Sequence, residues 1–423
     1  MVAAALCSGG LEKILSNEIR KLAEHTGHDY KIIDSGFGKV RFETGLAGLY
    51  GALFSLRTAD RLMLEAASFP ASDFDGLFEG TRSVAWEDYI PKGMGLTVDK
   101  ARSNHSRLAA ETSIQAVVNK AAAERLCGIY HQNRLSEDPG NAASIRVHIE
   151  KDKVYLMLDI CGDPLYKRGY RVSGGTAPLR ESVAAALLLQ SLWRRKYPLY
   201  DPFCGSGTIV IEAALYAWNA APGLGRRFAV SNLAFGDAVI ENEMREALFG
   251  KIDVSRQVEI YGSDGDSAVV SAAKANLERA FTVILRGGTQ AACRPKLWWR
   301  KMEEAKAPSG EGFIITNPPY GIRLLDKESA EETYRSMAAL KNNFPSWKIN
   351  VLSASSGFET FFGENASRCK KIVSGAFETF FYEYDAEPKK KTGYHHSVKS
   401  AVNKNKDTSG AAKKTSRGMT YTW

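Results

Sequence analysis

The sequence predicts an α/β protein: a doubly wound, mainly parallel sheet in its second part, preceded by small α+β modules. Two observations predict the sheet and one the modules. From about residue 166, short apolar strands alternate with segments of helical apolar spacing. Three of those strands end in a glycine turn, an aspartate or an Asn-Pro-Pro-Tyr, which is where open α/β sheets bind ligands. Upstream, short strands surround isolated helices.

The chain begins with a strand, and "GLEKILSNEIRKLAE" follows as a helix with Leu11, Ile14, Leu15, Ile19 and Leu22 on one face. "KIIDSGFGKVRFET" predicts a hairpin turning near Gly36 and Gly38, and a second helix closes residues 1–60. Residues 61–165 hold the extended "GMGLTVDKARS", the helix "AAETSIQAVVNKAAAERL", and the strands "SIRVHIEKD" and "KVYLMLDIC" joined by a turn. Residues 166–385 run helix "PLRESVAAALLLQSLW", strand "YPLYD", helix "TIVIEAALYAW", strand "QVEIYGSD" and helix "DSAVVSAAKANLERA". Strand "GFIITN", helix "AEETYRSMAALKNNF", strand "KINVLSAS" and a closing strand pair in "KKIVSGAFETFFYEYD" complete that part. "FETFF" occurs at 358–362 and 377–381, which in aromatic-rich segments reads as chance. Residues 386–423, rich in Lys, Ser, Thr, Asn and Gly without apolar periodicity, read as a disordered basic tail.

At 423 residues, two or three folded domains are expected. A 44% hydrophobic share supports a sizeable core, and no apolar run reaches the ~18 residues of a membrane span. The N-terminus lacks a basic n-region and is broken by Gly9-Gly10, so it reads as strand and helix rather than as a signal peptide. Six cysteines spread singly, with no C-x-x-C pair, argue against a disulfide framework or a zinc site and suit a reducing cytoplasm. Seven scattered histidines offer no metal ligand set. The tail carries nine Lys/Arg against two acids, so nearly all of the net +8 belongs to it and any RNA-facing patch on the body must be local.

The first strand end is "DPFCGSGT". Gly205 and Gly207 let backbone approach a ligand, but the third glycine of a dinucleotide fingerprint and the Gly-Lys-Ser/Thr of a P-loop are both absent. Cys204 reads as a small apolar filler. The second is "YGSDGDS", where the Asp264 carboxylate can accept ribose hydroxyls and Asp266 suits a helix N-cap. The gap between the two is far longer than a standard βαβ unit, so "NAAPGLGRRFAVSNLAFGDAVIENEMREALFGKID" is an insertion. The third is "TNPPYG". An exocyclic base amine is conjugated and a poor nucleophile. Asn317 Oδ1 and the Pro318 carbonyl, stiffened by Pro318 and Pro319, can accept its two N–H bonds and pull it toward tetrahedral geometry. Tyr320 offers a face for an extruded base.

In that order, "DPFCGSGT", "GSDGD" and "TNPPYG" resemble the S-adenosylmethionine-dependent amino-methyltransferases. "YKRGYRVSGGTAPLRESVAAALL", "APGLGRRFAVSN", "PYGIRL" and "WEDYIPKGMGLTVDKARSNHS" narrow the resemblance to THUMP-containing RNA guanine-N2 methyltransferases, in particular the bacterial 23S rRNA enzymes of the RlmL type in a short form. It spans nearly all of 1–385 and implies a Rossmann-like class I methyltransferase domain at 166–385. Before it come a ferredoxin-like module at 1–60 and a THUMP RNA-binding domain at 61–165. The implied cofactor is S-adenosylmethionine. Asp201, Phe203, Gly205, Ser206 and Gly207 would surround its methionine moiety, Pro178 to Glu181 would line the methionine end, and Asp264 would hold the ribose. Asn317, Pro318 and Tyr320 would hold the base. The acid usual beside the adenine falls near Lys301, Met302 and Glu303, where none can be assigned. Lys100, Arg102, His105 and Arg107 are candidate phosphate contacts, although a solvated charged face explains them better. The expected partner is 23S rRNA, with tRNA second and no membrane. A DNA adenine-N6 methyltransferase would leave the THUMP-like half unexplained. A non-catalytic RNA-binding or assembly factor is the alternative of another class.

Overall fold

Period-two burial sets the first sheet. In Ala142–Glu150 the buried residues are Ala143, Ile145, Val147 and Ile149, so one face meets the core and the other meets solvent. The structure, a computed structural model, describes residues 1–171, 179–286, 290–308, 310–320, 324–375 and 377–386, and side chains 324–327 are also outside the description. Pro178 and the tail from residue 387 lie outside the described residues.

Seven strands make this sheet: β1 (Val2–Leu6), β2 (Lys31–Gly36), β3 (Lys39–Glu43), β4 (Arg61–Pro70), β5 (Gly95–Asn104), β6 (Ala142–Glu150) and β7 (Lys153–Asp159). Their order is β2-β3-β1-β4-β7-β6-β5, with only the β5–β6 pair parallel. The sequence suggested two small modules here. Their strands in fact share one sheet, because β4, which the sequence reading did not identify, pairs with β1 on one edge and β7 on the other. One apolar core runs beneath all of it, from Leu15 and Phe42 to Ile114 and Ile149.

The second sheet comprises β8 (Leu199–Asp201), β9 (Ile260–Asp264), β10 (Lys296–Trp299), β11 (Gly312–Thr316), β12 (Trp347–Ser353), β13 (Arg368–Ser374) and β14 (Phe377–Tyr384), in the order β10-β9-β8-β11-β12-β14-β13. β8 to β12 are parallel, and β14 runs antiparallel to both its neighbours. Both faces are covered, which is why these strands read as continuous apolar runs. Phe313 and Ile315 pack on one side with the helices Glu181–Gln190, Thr208–Ala217 and Ser267–Ile284. Ile314 packs on the other with Tyr334, Leu340 and Phe358. The single helix expected over "AEETYRSMAALKNNF" is two, Leu324–Ser336 and Ala339–Asn343.

The two copies of "FETFF" share no structure: Phe358–Phe362 is a short helix, whereas residues 377–381 lie in β14. The long insertion carries the helix Ala238–Phe249. Its Leu224, Phe228, Met244 and Leu248 belong to the core of the first sheet, so it docks the C-terminal half onto the N-terminal half. A second junction is the bridge between Gly9 and Val373, with N–H···O distances of 2.8 and 2.9 Å. Gly10 makes it possible: its φ is +89°, and a Cβ there would stand 2.4 Å from the Lys371 carbonyl oxygen.

Candidate active site

β9, β8 and β11 lie side by side and parallel, so Asp264, Asp201 and Asn317 come to the same carboxyl edge of the sheet. β8 is tied to β11 at this edge. The Thr316 hydroxyl donates to Asp201 Oδ1 at 2.6 Å, and the Phe203 N–H donates to the same oxygen at 3.1 Å. Asp201 is therefore behind the turn rather than on its surface, with 1% exposure. Burial pushes its carboxyl up to about 7, against the opposing pull of those two donors.

The glycine turn is held from below. Gly207 N–H donates to the Cys204 carbonyl (2.8 Å), Cys204 N–H to Ser263 (2.9 Å), and Asn276 Nδ2 to the Ser206 carbonyl (2.9 Å). Gly207 caps the helix Thr208–Ala217 with φ +86°, where a Cβ would press within 3.2 Å of Ala273. Gly205 has φ +52°, and a Cβ there would meet nothing within 4 Å. It thus faces open space beside a helix N-terminus. Cys204 is buried, and burial raises its thiol well above the ordinary range, which suits the packing reading over a nucleophile.

Asp264 bridges the two strand ends. Its Oδ2 accepts from Gly205 N–H and its Oδ1 from Asp266 N–H, both at 3.1 Å. Each oxygen keeps a lone pair. Asp266 is the N-cap of Ser267–Ile284, accepting from Ala268 and Val269. Beyond Asp264 sits Trp299, 70% exposed, whose indole N–H donates to the Gly265 carbonyl at 3.0 Å. At the segment where the sequence left the adenine contact open, Met302 is buried and Lys301 Cγ lies 3.7 Å from where a Gly265 Cβ would stand.

At the end of β11, Asn317 is half-buried and Pro318 buried. The Tyr334 hydroxyl donates to the Pro319 carbonyl at 3.1 Å and fixes the Pro-Pro step from the helix Leu324–Ser336. The Tyr320 hydroxyl donates to Asn317 Oδ1, so this acceptor is engaged by its own neighbour. Burial raises the Tyr320 pKa, which keeps the hydroxyl protonated and able to donate.

A buried cluster lies behind the site; the sequence reading named Glu181 in it but none of its partners. Arg171 Nη2 donates to Thr208 Oγ1 (2.6 Å) and the Leu179 carbonyl (3.2 Å), and lies 3.4 Å from Glu181, whose carboxyl burial pushes up to about 7. Deeper, Glu212 Oε1 faces Arg168 Nε at 3.5 Å and accepts from the Tyr170 hydroxyl at 3.2 Å. The signal was present: Glu212 is the one acid in "TIVIEAALYAW", and a carboxylate inside so apolar a helix must be paired.

The candidate phosphate contacts belong to the other sheet. Lys100 and Arg102 are on the edge strand β5, and His105 and Arg107 follow it. Arg102 Nη1 reaches both carboxylate oxygens of Glu111 at 2.9 Å, and His105 Nδ1 lies 3.2 Å from Glu150. Arg107 N–H donates to Asp152 Oδ1 at 2.9 Å. Burial and the Arg102 and Arg146 charges lower the Lys100 pKa. Among the described residues no group of three or more His, Cys, Asp or Glu could hold a metal, and no helix is long and apolar enough to cross a membrane.

Comparison with known proteins follows this layout. Residues 168–382 match the RMKL-like methyltransferase domain, 71–159 the THUMP domain and 3–63 the RlmL ferredoxin-like domain. The chain belongs to the RlmKL-type RNA methyltransferase family. Over 376 residues it is 34% identical to the "Putative RNA methyltransferase YpsC" of Bacillus subtilis, covering 89% of this chain and 93% of that one. The ribosomal RNA large subunit methyltransferase K/L of Syntrophotalea carbinolica is 31% identical over 395 residues, 89% of this chain and 52% of its own length. The chain thus spans about half the length of its K/L relatives. The solved structure of SMU.472, a "putative methyltransferase complexed with SAH", superposes with a TM-score of 0.79 at 31% identity, covering 92% of this chain and 98% of that one. S-adenosylmethionine is the cofactor of this class I family, and the residues present fit it: the space over Gly205 is open, and Asp264 retains acceptors at its edge.

The tie behind the turn makes a pH prediction. The folded state holds Asp201 protonated up to about 7, above its unfolded range. Its contribution to stability is complete below that range and is lost as pH rises through about 7. Asp201→Asn keeps an acceptor for Thr316 without the charge. Urea unfolding at pH 5 and pH 8 should show the wild type losing on the order of 3 kcal/mol more than the variant. Parallel pH profiles would place the proton elsewhere.

Proposed function

We propose that this protein transfers a methyl group from S-adenosylmethionine to the exocyclic N2 of a guanosine in 23S rRNA. The observation that carries this reading is the Asn317-Pro318-Pro319-Tyr320 step, braced by Tyr334 and standing at the strand end beside the open glycine turn. The names of the K/L relatives support the ribosomal substrate. The cofactor's sulfonium supplies an already activated methyl carbon, so the protein's task is mainly positioning.

In this reading Gly205, Ser206 and Gly207, with Phe203, form the wall against the methionine portion, and Asp201 holds that wall from behind. Pro178 and Glu181 border the same end, and Asp264 accepts ribose hydroxyls. Asn317 Oδ1 and the Pro318 carbonyl accept the two amine N–H bonds, which turns the nitrogen lone pair toward the donor carbon. Loss of the amine proton follows transfer and goes to water; no side chain is assigned as base. The THUMP domain presents the RNA, with Lys100, Arg102, His105 and Arg107 contacting phosphates.

Because the Tyr320 hydroxyl engages Asn317 Oδ1, the incoming amine must displace it. Tyr320→Phe frees the acceptor and keeps the stacking face, so kcat should be retained. Tyr320→Ala removes the face and should lower kcat/KM by about 10- to 100-fold. Equal losses in both would show that the hydroxyl, not the ring, matters. The reading itself is tested with labelled cofactor and total rRNA or tRNA, followed by nucleoside digestion. N2-methylguanosine in 23S rRNA is expected. The same product only in tRNA would move the substrate, and no transfer with no cofactor binding would favour an assembly factor.

A further inference from the structure

A cleft of about 740 Å³ lies on the opposite side of the catalytic half from the strand ends. Its walls are the helix Glu12–Thr26 of the N-terminal half and, from the catalytic half, the 189–195 segment and the end of the helix Thr208–Ala217. That helix starts at the glycine turn, and its ten residues put the cleft roughly 15 Å away along its axis.

The lining is strongly cationic: eight lysines and arginines and one histidine against two glutamates. One glutamate is already satisfied, since Glu18 accepts from the N–H groups of Arg57 (2.6 Å) and Thr58 (3.1 Å) and from the Thr58 hydroxyl (2.7 Å). Arg57 is more than nine-tenths buried. Its Nη2 donates to the Ala220 carbonyl at 2.6 Å, but its buried Nη1 has no hydrogen-bond partner. An unpaired guanidinium N–H is costly without a ligand to receive it. The cations converge closely enough to act on His25: besides burial, the charges of Arg57, Lys251 and Arg195 lower its pKa. Tyr216 has Arg195 over its ring at 4.5 Å and Arg57 at 5.6 Å. Of the seven non-glycine residues with positive φ among the described residues, three line this cleft: Leu192, Arg195 and Asn219. Such backbone is unfavourable and gathers where a site needs it.

We propose that this cleft binds a phosphate group between Arg57 and the surrounding lysines and arginines, at a site separate from methyl transfer. The phosphate comes either from an RNA backbone or from a free phosphate ligand, and both present the same oxygens to guanidinium donors.

The test uses the full chain, with inorganic pyrophosphate and an adenosine hexaribonucleotide without terminal phosphates as probes. Lys21 and Arg194 are exposed at the rim and far from the strand ends, so Lys21→Gln with Arg194→Gln leaves the fold and cofactor affinity unchanged. The double variant should bind the hexanucleotide with a log–log salt slope smaller by about 1.4, two contacts' worth for single strands. That outcome, with or without loss of pyrophosphate, assigns the phosphate to RNA. Loss of about tenfold in pyrophosphate affinity alone, the value of one hydrogen bond to a charged group, assigns it to a free ligand. Wild-type binding of neither probe, or unchanged binding of both in the variant, overturns the proposal. Cofactor binding or methyl transfer can fail without affecting these readouts.

Discussion

Asn317→Ala should lose methyl transfer by about a thousandfold while S-adenosylmethionine binds with its wild-type affinity. The amide oxygen is one of two acceptors that would orient the base amine. Removing one preorganised partner from a reacting centre costs about 10²–10³ in kcat, and here the same contact also sets the lone-pair direction. The cofactor wall is made by other residues. Asp264 is anchored by Gly205 and Asp266, and the turn by Cys204, Ser263 and Asn276, through hydrogen bonds that do not involve the Asn317 side chain. Single-turnover rates with RNA, set beside calorimetric titration of the cofactor, separate the two effects. Equal loss of both would mean that Asn317 shapes the edge of the sheet as a whole.

The second large effect is on stability. Glu212, in the helix Thr208–Ala217, and Arg168, which precedes the second sheet, have side-chain exposures of 0% and 2%. Arg168 also donates to the Leu165 carbonyl (2.6 Å) and the Arg57 carbonyl, joining the N-terminal half to the pair. Glu212→Ala leaves a buried guanidinium without its carboxylate and the Tyr170 hydroxyl without its acceptor. Breaking such a pair from one side costs about 3–5 kcal/mol, or roughly 5 °C in melting temperature for a protein of this size. Replacing both partners, with Glu212→Leu and Arg168→Met, should recover much of that loss, because an apolar pair owes no desolvation. If the single variant melts within a degree or two of the wild type, the cluster does not hold the halves together.

The meeting of the three strand ends at one edge was legible in the sequence because each end carries a local signal. Gly205 and Gly207, Asp264, and the Asn317–Tyr320 step each follow an apolar run, and parallel order brings such ends together. Where long-range pairing decides, the sequence was silent. β4 joins the strands of both N-terminal modules, but nothing in "RLMLEAASFP" names its two neighbours. β10, "KLWW", is four residues at the sheet edge and too short for a periodic signal. The paired copies of "FETFF" show the same limit, since tertiary packing makes one a helix and the other a strand. The engagement of Asn317 by Tyr320 was equally beyond a linear reading, which assigned the tyrosine a ring and no hydroxyl partner.

The most direct test of the account is a solved complex of the protein with S-adenosylhomocysteine and a guanosine-containing RNA fragment. The guanine amine is expected about 3 Å from both Asn317 Oδ1 and the Pro318 carbonyl oxygen, with its ring against Tyr320 and the Tyr320 hydroxyl displaced. A base bound with its amine directed away from the cofactor's sulfur, or an Asn317 pocket still closed by Tyr320 with RNA in place, would contradict it.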